Sequence, residues 1–167
     1  MPVLVSAQWV KDNLDNVRVI DASSHLPTSE RDADVEFAAA RIPGAVRFDI
    51  NKIADHSNPL PHMIPSAAAF AVAMCDLGLS DGDHLVIYDD SPIFPAARVW
   101  WMFRLFGHDS VSVLNGGLNA WKAADGALET TAFSPPAKGR FTVRPTVGAQ
   151  VIDMMTIRAM MEAEAVG

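Results

Sequence analysis

Two aliphatic runs constrain this chain more than any other feature: Val17-Arg18-Val19-Ile20-Asp21-Ala22 and His84-Leu85-Val86-Ile87-Tyr88. Neither keeps up a strict apolar–polar alternation, so each suits a strand buried on both faces, as in a parallel sheet. Parallel neighbours cannot be joined by a tight hairpin, and helical crossovers must lie between them. The intervening sequence supplies them. Ser6 can cap a helix over 7–14, where Val10 and Leu14 are four apart. Residues 23–34 are polar and read as loop. Residues 35–41 give a helical turn or two, stopped by Ile42-Pro43-Gly44, and Ala45-Val46-Arg47-Phe48 reads as a short strand.

Asn58-Pro59, Pro61 and Pro65 make 51–65 an irregular excursion over the surface, of a length that often carries function. Ser66 caps a helix over 67–77, which Gly78 ends. Pro95 suits the first position of a helix over 96–106, apolar nearly all round and therefore expected to be largely buried. Val111-Ser112-Val113-Leu114 is a further strand, Asn115-Gly116-Gly117 a tight turn, and 118–124 a helix carrying Trp121. Residues 125–149, with Pro135-Pro136, Gly139, Pro145 and Gly148, read as an extended tail or linker. The alternation predicts an α/β fold, a central parallel sheet with helices on both faces. Ligands in such sheets gather beyond the carboxyl ends of the strands, so the loops after Ala22 and Tyr88 are the first candidate sites.

Composition narrows the function. A chain of 167 residues, half of them hydrophobic, is the size of one globular domain with a proper core. No apolar run approaches the roughly 20 residues of a membrane span, and the N-terminus lacks the basic and long apolar parts of a secretory signal, which points to a cytoplasmic, soluble protein. Thirteen basic against twenty acidic side chains, with no Lys/Arg cluster, argue against nucleic acid. The same charge repels anions at long range, so an anion site would rest on local Arg residues or backbone N–H groups. The single cysteine, Cys75, excludes an intrachain disulfide and any multi-Cys metal site, and the five histidines show no ligand spacing, so a structural metal is not expected.

Two stretches combine into a resemblance: Phe37-Ala38-Ala39-Ala40-Arg41-Ile42-Pro43-Gly44-Ala45, and the block from Arg98-Val99-Trp100-Trp101-Met102-Phe103-Arg104 to Asn115-Gly116-Gly117-Leu118-Asn119-Ala120-Trp121. Together they resemble the first domain of two-domain rhodanese-type sulfurtransferases, closest to the 3-mercaptopyruvate enzymes. The resemblance implies a rhodanese-like fold over 1–143. It also implies a donor such as 3-mercaptopyruvate or thiosulfate, and a nucleophilic Cys on the loop after the strand matching Val86-Ile87-Tyr88. Here that loop begins Asp89-Asp90-Ser91. A carboxylate cannot accept sulfane sulfur as a thiolate does, and it would repel the anion the loop should bind. The resemblance implies the same of most first domains, as inactive partners, with no metal or organic cofactor, and a second rhodanese domain is expected to carry the Cys.

The run from Val151 to Met161 echoes that from Leu4 to Leu14: an apolar pair, a cap residue, then apolar positions four and eight later. Residues 144–167 therefore read as a linker and the start of a truncated second rhodanese-like domain. Cys75 lies within the helix over 67–77, without a cationic neighbour to activate it, and reads as a packed thiol. Asp89 as a phosphatase-like nucleophile lacks the second Asp two residues on, where Ser91 stands. The resemblance makes His62 a residue facing the second domain's Cys, to take a proton or orient substrate, with Asn51 in place of its carboxylate partner and Asp49 nearby. Arg41 stands where the family motif usually has His and reads as a surface residue. Asp21 and Arg98 are expected to form a buried structural ion pair, and Trp100, Trp101, Met102, Phe103 and Trp121 to be core. A free-standing, non-catalytic binding module is the alternative to the half-enzyme.

Overall fold

The structure, a computed structural model, describes residues 2–144, 151–152 and 154–164. Five short parallel strands form one sheet: β1 (Leu4–Val5), β2 (Arg18–Asp21), β3 (Val46–Arg47), β4 (Leu85–Tyr88) and β5 (Val111–Leu114), in the order β1-β5-β4-β2-β3. The two aliphatic runs lie side by side, with Arg18 opposite Leu85 and Asp21 opposite Tyr88. The crossovers are α1 (Ala7–Asn13), α2 (Ala33–Ala39), α3 (Ala67–Asp76) and α4 (Pro95–Leu105), and α5 (Gly117–Ala123) follows β5.

Side chains alternate across the sheet into two cores. Ile20, Leu85 and Ile87 pack with Phe70 and Met74 of α3 and Val99, Met102 and Phe103 of α4. On the other face Val19, Val86 and Tyr88 pack with Val10 of α1, Phe37 of α2 and Leu118 and Trp121 of α5. Burial on both faces is what the unalternating strands demanded. Ser6 and Ser66 cap their helices as expected, their hydroxyl oxygens accepting the N–H groups of Trp9 at 3.1 Å and Ala69 at 3.2 Å.

Three expectations change. The segment 125–144 has no regular element, but it is a strap packed on the domain rather than a loose tail. Phe141 is buried among Phe70, Phe103 and His108, and Gly139 donates its N–H to the Cys75 carbonyl at 2.8 Å. A Cβ on Gly139 would stand 1.9 Å from the Leu79 carbonyl oxygen, so the strap lies this close only because glycine is there. Arg41 is not a surface residue but 1% exposed. Its guanidinium lies over the rings of Phe37 and Phe133 and bonds Glu129 and the Thr131 carbonyl, so the strap roofs it over. On α4, Met102 and Phe103 are core but Trp100 and Trp101 are only half-buried, each covered by an arginine, Arg104 over Trp100 and Arg98 over Trp101.

Beyond the strap, α6 (Met154–Glu164) occupies the stretch read as the start of a repeat, while its expected cap, Asp153, lies outside the described residues. Met154, Met155, Ile157, Met160 and Met161 are all exposed. Among the described residues no helix is long and apolar enough to cross a membrane.

Candidate functional site

The carboxyl ends of β4, β5 and β1 open onto a cleft of about 730 Å³, bounded by Asp89, Asp90, Ser91, Phe94, Gly117 and Asn119. Six residues, 89–94, connect β4 to α4. Asp89 turns its carboxylate inward, where Oδ2 accepts the Ala96 N–H at 2.9 Å in the first turn of α4. The loop thus fills its own helix terminus with a side chain, where the N–H groups would otherwise favour an external anion. Burial pushes the Asp89 carboxyl above its ordinary value. The Ala96 N–H opposes that, and the nearby charges of Asp21 and Asp90 add to it.

The Asn115-Gly116-Gly117 turn supports this arrangement from the other side. The Leu118 N–H donates to the Asp89 carbonyl at 2.9 Å, and a Cβ on Gly117 would come within 2.2 Å of that oxygen. With φ +57, Gly117 meets both the close approach and the left-handed backbone that a side chain would resist. Asp90 donates its N–H to Ser23 Oγ at 2.9 Å and accepts from Arg31 at 3.0 Å, and Ser91 Oγ donates to the Ser24 carbonyl. The loops after Ala22 and Tyr88 are therefore one unit, tied by Arg31, which also grips Glu36 at 2.6 and 2.8 Å. Sequence reasoning missed Arg31: it sits in a featureless polar stretch, and its partner Asp90 is distant in the chain.

A second group lies along the same edge of the sheet, where the chain leaves β3. His62 Nε2 donates to Asn51 Oδ1 at 2.8 Å, so the two residues aligned from sequence do meet. The Asn51 N–H donates to Asp49 Oδ1 at 2.9 Å, and Lys52 pairs with the other Asp49 oxygen at 3.1 Å. Burial disfavours the Asp49 charge, but the Asn51 N–H and the Lys52 ammonium outweigh it and hold the carboxyl below its ordinary value.

The expected Asp21–Arg98 pair does not form. Asp21 is buried, but its cation is Arg47 at 3.9 Å, its direct neighbour in the β2–β3 ladder. Arg98 lies on the half-exposed flank of α4 and donates instead to the His62 carbonyl at 2.8 Å. Cys75 is not part of the cleft. Its sulfur accepts the Phe141 N–H at 3.3 Å under the strap. Among the described residues no cluster of three or more His, Cys, Asp or Glu side chains is placed to hold a metal ion.

A profile of the rhodanese-like domain matches residues 6–124, from the cap of α1 to the end of α5. The chain belongs to the rhodanese-like family. This rhodanese-like domain is 41% identical over 156 residues to the 3-mercaptopyruvate sulfurtransferase of Escherichia coli K12, covering 90% of this chain and 55% of that one. It is 43% identical over 151 residues to the Homo sapiens 3-mercaptopyruvate sulfurtransferase, covering 85% and 51%. Among solved structures, SseA of Escherichia coli, a 3-mercaptopyruvate sulfotransferase, superposes with a TM-score of 0.89 at 36% identity, over 98% of this chain and 63% of that one. Tum1 of Saccharomyces cerevisiae follows with a TM-score of 0.86 at 28% identity, over 99% and 58%. The chain thus spans about half the length of the curated relatives it matches.

Proposed function

We propose that this chain is the N-terminal, non-catalytic half of a sulfurtransferase that moves sulfane sulfur from 3-mercaptopyruvate or thiosulfate to a thiophilic acceptor. A Cys persulfide in a second rhodanese domain carries the sulfur, and this half forms one wall of the cleft. The observation that carries the reading is the Asp89 carboxylate bonded to the Ala96 N–H, in the loop where the family resemblance calls for a thiol. A loop that already holds its own anion has neither the nucleophile nor the free N–H groups that sulfur transfer needs.

Three further observations support it. The likeness to SseA takes in 98% of this chain, a share large enough to include most of α6, yet only 63% of that protein. The apolar face of α6 is exposed, as the first helix of a domain would be without the rest of its core. His62 and Asn51 stand hydrogen-bonded on the edge of the sheet where ligands of such folds gather, so an imidazole is on offer to a substrate or thiol brought by the other half. The partners of the complete protein are then its second domain and a small anionic sulfur donor.

Thiocyanate formation from cyanide tests the reading, with 3-mercaptopyruvate and thiosulfate as donors and Cys75→Ser and buffer as controls. Background rates from both proteins are expected. Turnover well above background that disappears in Cys75→Ser would overturn it.

A further inference from the structure

The excursion over 51–65 contains no regular element, yet one residue in it is fixed at both ends. His62 has φ +57, a left-handed backbone that non-glycine residues adopt only when something holds them there. Its carbonyl accepts Arg98 NH2 at 2.8 Å and its ring meets Asn51 Oδ1 at 2.8 Å. Both anchors have contacts of their own. Arg98 stands in the first turn of the core helix α4, its guanidinium carbon 5.1 Å from the centre of the Trp101 ring, with its Nε buried and without a hydrogen-bond partner. Asn51 follows buried Phe48 and Ile50, and its backbone N–H donates to Asp49.

We propose that Arg98 is a positioning residue for His62, acting with Asn51 to hold the imidazole in one orientation and one tautomer. The inference rests on the reading of His62 as the group this half presents at the cleft. An amide oxygen only accepts, so Nε2 of the uncharged ring carries the hydrogen and Nδ1 is left bare. No side chain or carbonyl among the described residues bonds Nδ1. The bare nitrogen is therefore the one available to take a proton or to accept a hydrogen bond from a thiol. Arg98 sets where it stands without touching it. Arg98 lies over the Trp101 ring and needs only one N–H donor to hold the His62 carbonyl, which a lysine ammonium can also supply.

Long-range 1H–15N correlation spectra of the 15N-labelled chain at alkaline pH read the tautomer of each of the five histidines directly. The wild type should show His62 as a single species with the hydrogen on Nε2. Arg98→Ala and Asn51→Ala should each shift the His62 nitrogens towards the averaged values of a free histidine, while His25, His84 and His108 keep theirs. Arg98→Lys, which retains a donor for the carbonyl, should restore most of the wild-type pattern. A His62 signal unmoved in Arg98→Ala would overturn the proposal, as would a hydrogen found on Nδ1 in the wild type. A purely structural role for Arg98 would lower Tm and leave the His62 tautomer alone. Should Arg98→Ala fail to fold, Arg98→Lys and Arg98→Gln decide: the lysine must hold the pattern and the shorter amide must lose it. The readout needs no turnover, so its failure and a failure of the sulfurtransferase reading are separate results.

Discussion

At Asp89 burial penalises the charge, while one carboxylate oxygen closes the Ala96 N–H at the start of α4. These two effects can be separated by substitution. A carboxyl raised in the fold binds its proton more readily there than in the unfolded chain, so its linkage lowers stability as pH rises through the window above about 3.9. Asp89→Asn keeps an oxygen for Ala96 and removes the charge, and should raise stability at pH 7 by about 1 kcal/mol or less. The gain should vanish near pH 3. Asp89→Ala removes the oxygen as well and should lower stability by about 1 kcal/mol near pH 3, the cost of a lost cap, and by less at pH 7, where loss of the charge offsets part of that cost. Urea midpoints at the two pH values distinguish the cases, and equal effects of Asn and Ala would mean that the Ala96 contact contributes nothing.

The elements were legible in proportion to how local their causes are. Caps at Ser6 and Ser66, Pro95 opening α4 and Gly117 at the turn into α5 are decided by a few neighbouring residues, and each lies where the pattern placed it. Within the candidate site, motifs pointed to the placing of Asp89 in the loop after β4 and to the meeting of His62 with Asn51. Pairing settled across the fold was not legible. Asp21 takes Arg47 because strand register puts them opposite each other, and no periodicity in the chain states that register. The strap is the clearest case. Pro135, Pro136 and Gly139 read as linker, yet the same residues let an extended chain lie flat on α3 and deliver Phe141 to the core. Phe141→Ala should therefore cost about 3 to 5 kcal/mol, the loss of a buried aromatic with a cavity left behind. A change below about 0.5 kcal/mol in urea unfolding would show the strap to be a mere adjunct.

For the whole molecule, the strap also decides a pH response. His108 packs between Phe103 and Phe141 and donates to the Asp83 carbonyl at 3.0 Å, and burial lowers its proton affinity, as it does for His84 beside Ser112. Both groups bind protons more readily in the unfolded chain. Stability is then complete above about pH 6.5 and falls as pH drops through the lowered native values. His108→Asn should flatten that fall, compared by urea midpoints at pH 7.5 and 5.5.

α6 makes the opposite prediction, because every side chain of it that can be described is exposed. Removing residues 145–167 should leave the stability of the remaining domain within about 0.5 kcal/mol of the parent chain, since none of the described side chains it takes away is buried. The same truncation should reduce self-association, measured by sedimentation velocity over a range of concentrations, because it takes away Met154, Ile157 and Met161, an apolar face with no cover among the described residues. A large drop in Tm would mean that the helix packs on the domain and that the chain holds a single closed core. An unchanged Tm with weaker association fits a helix that has its core in another domain.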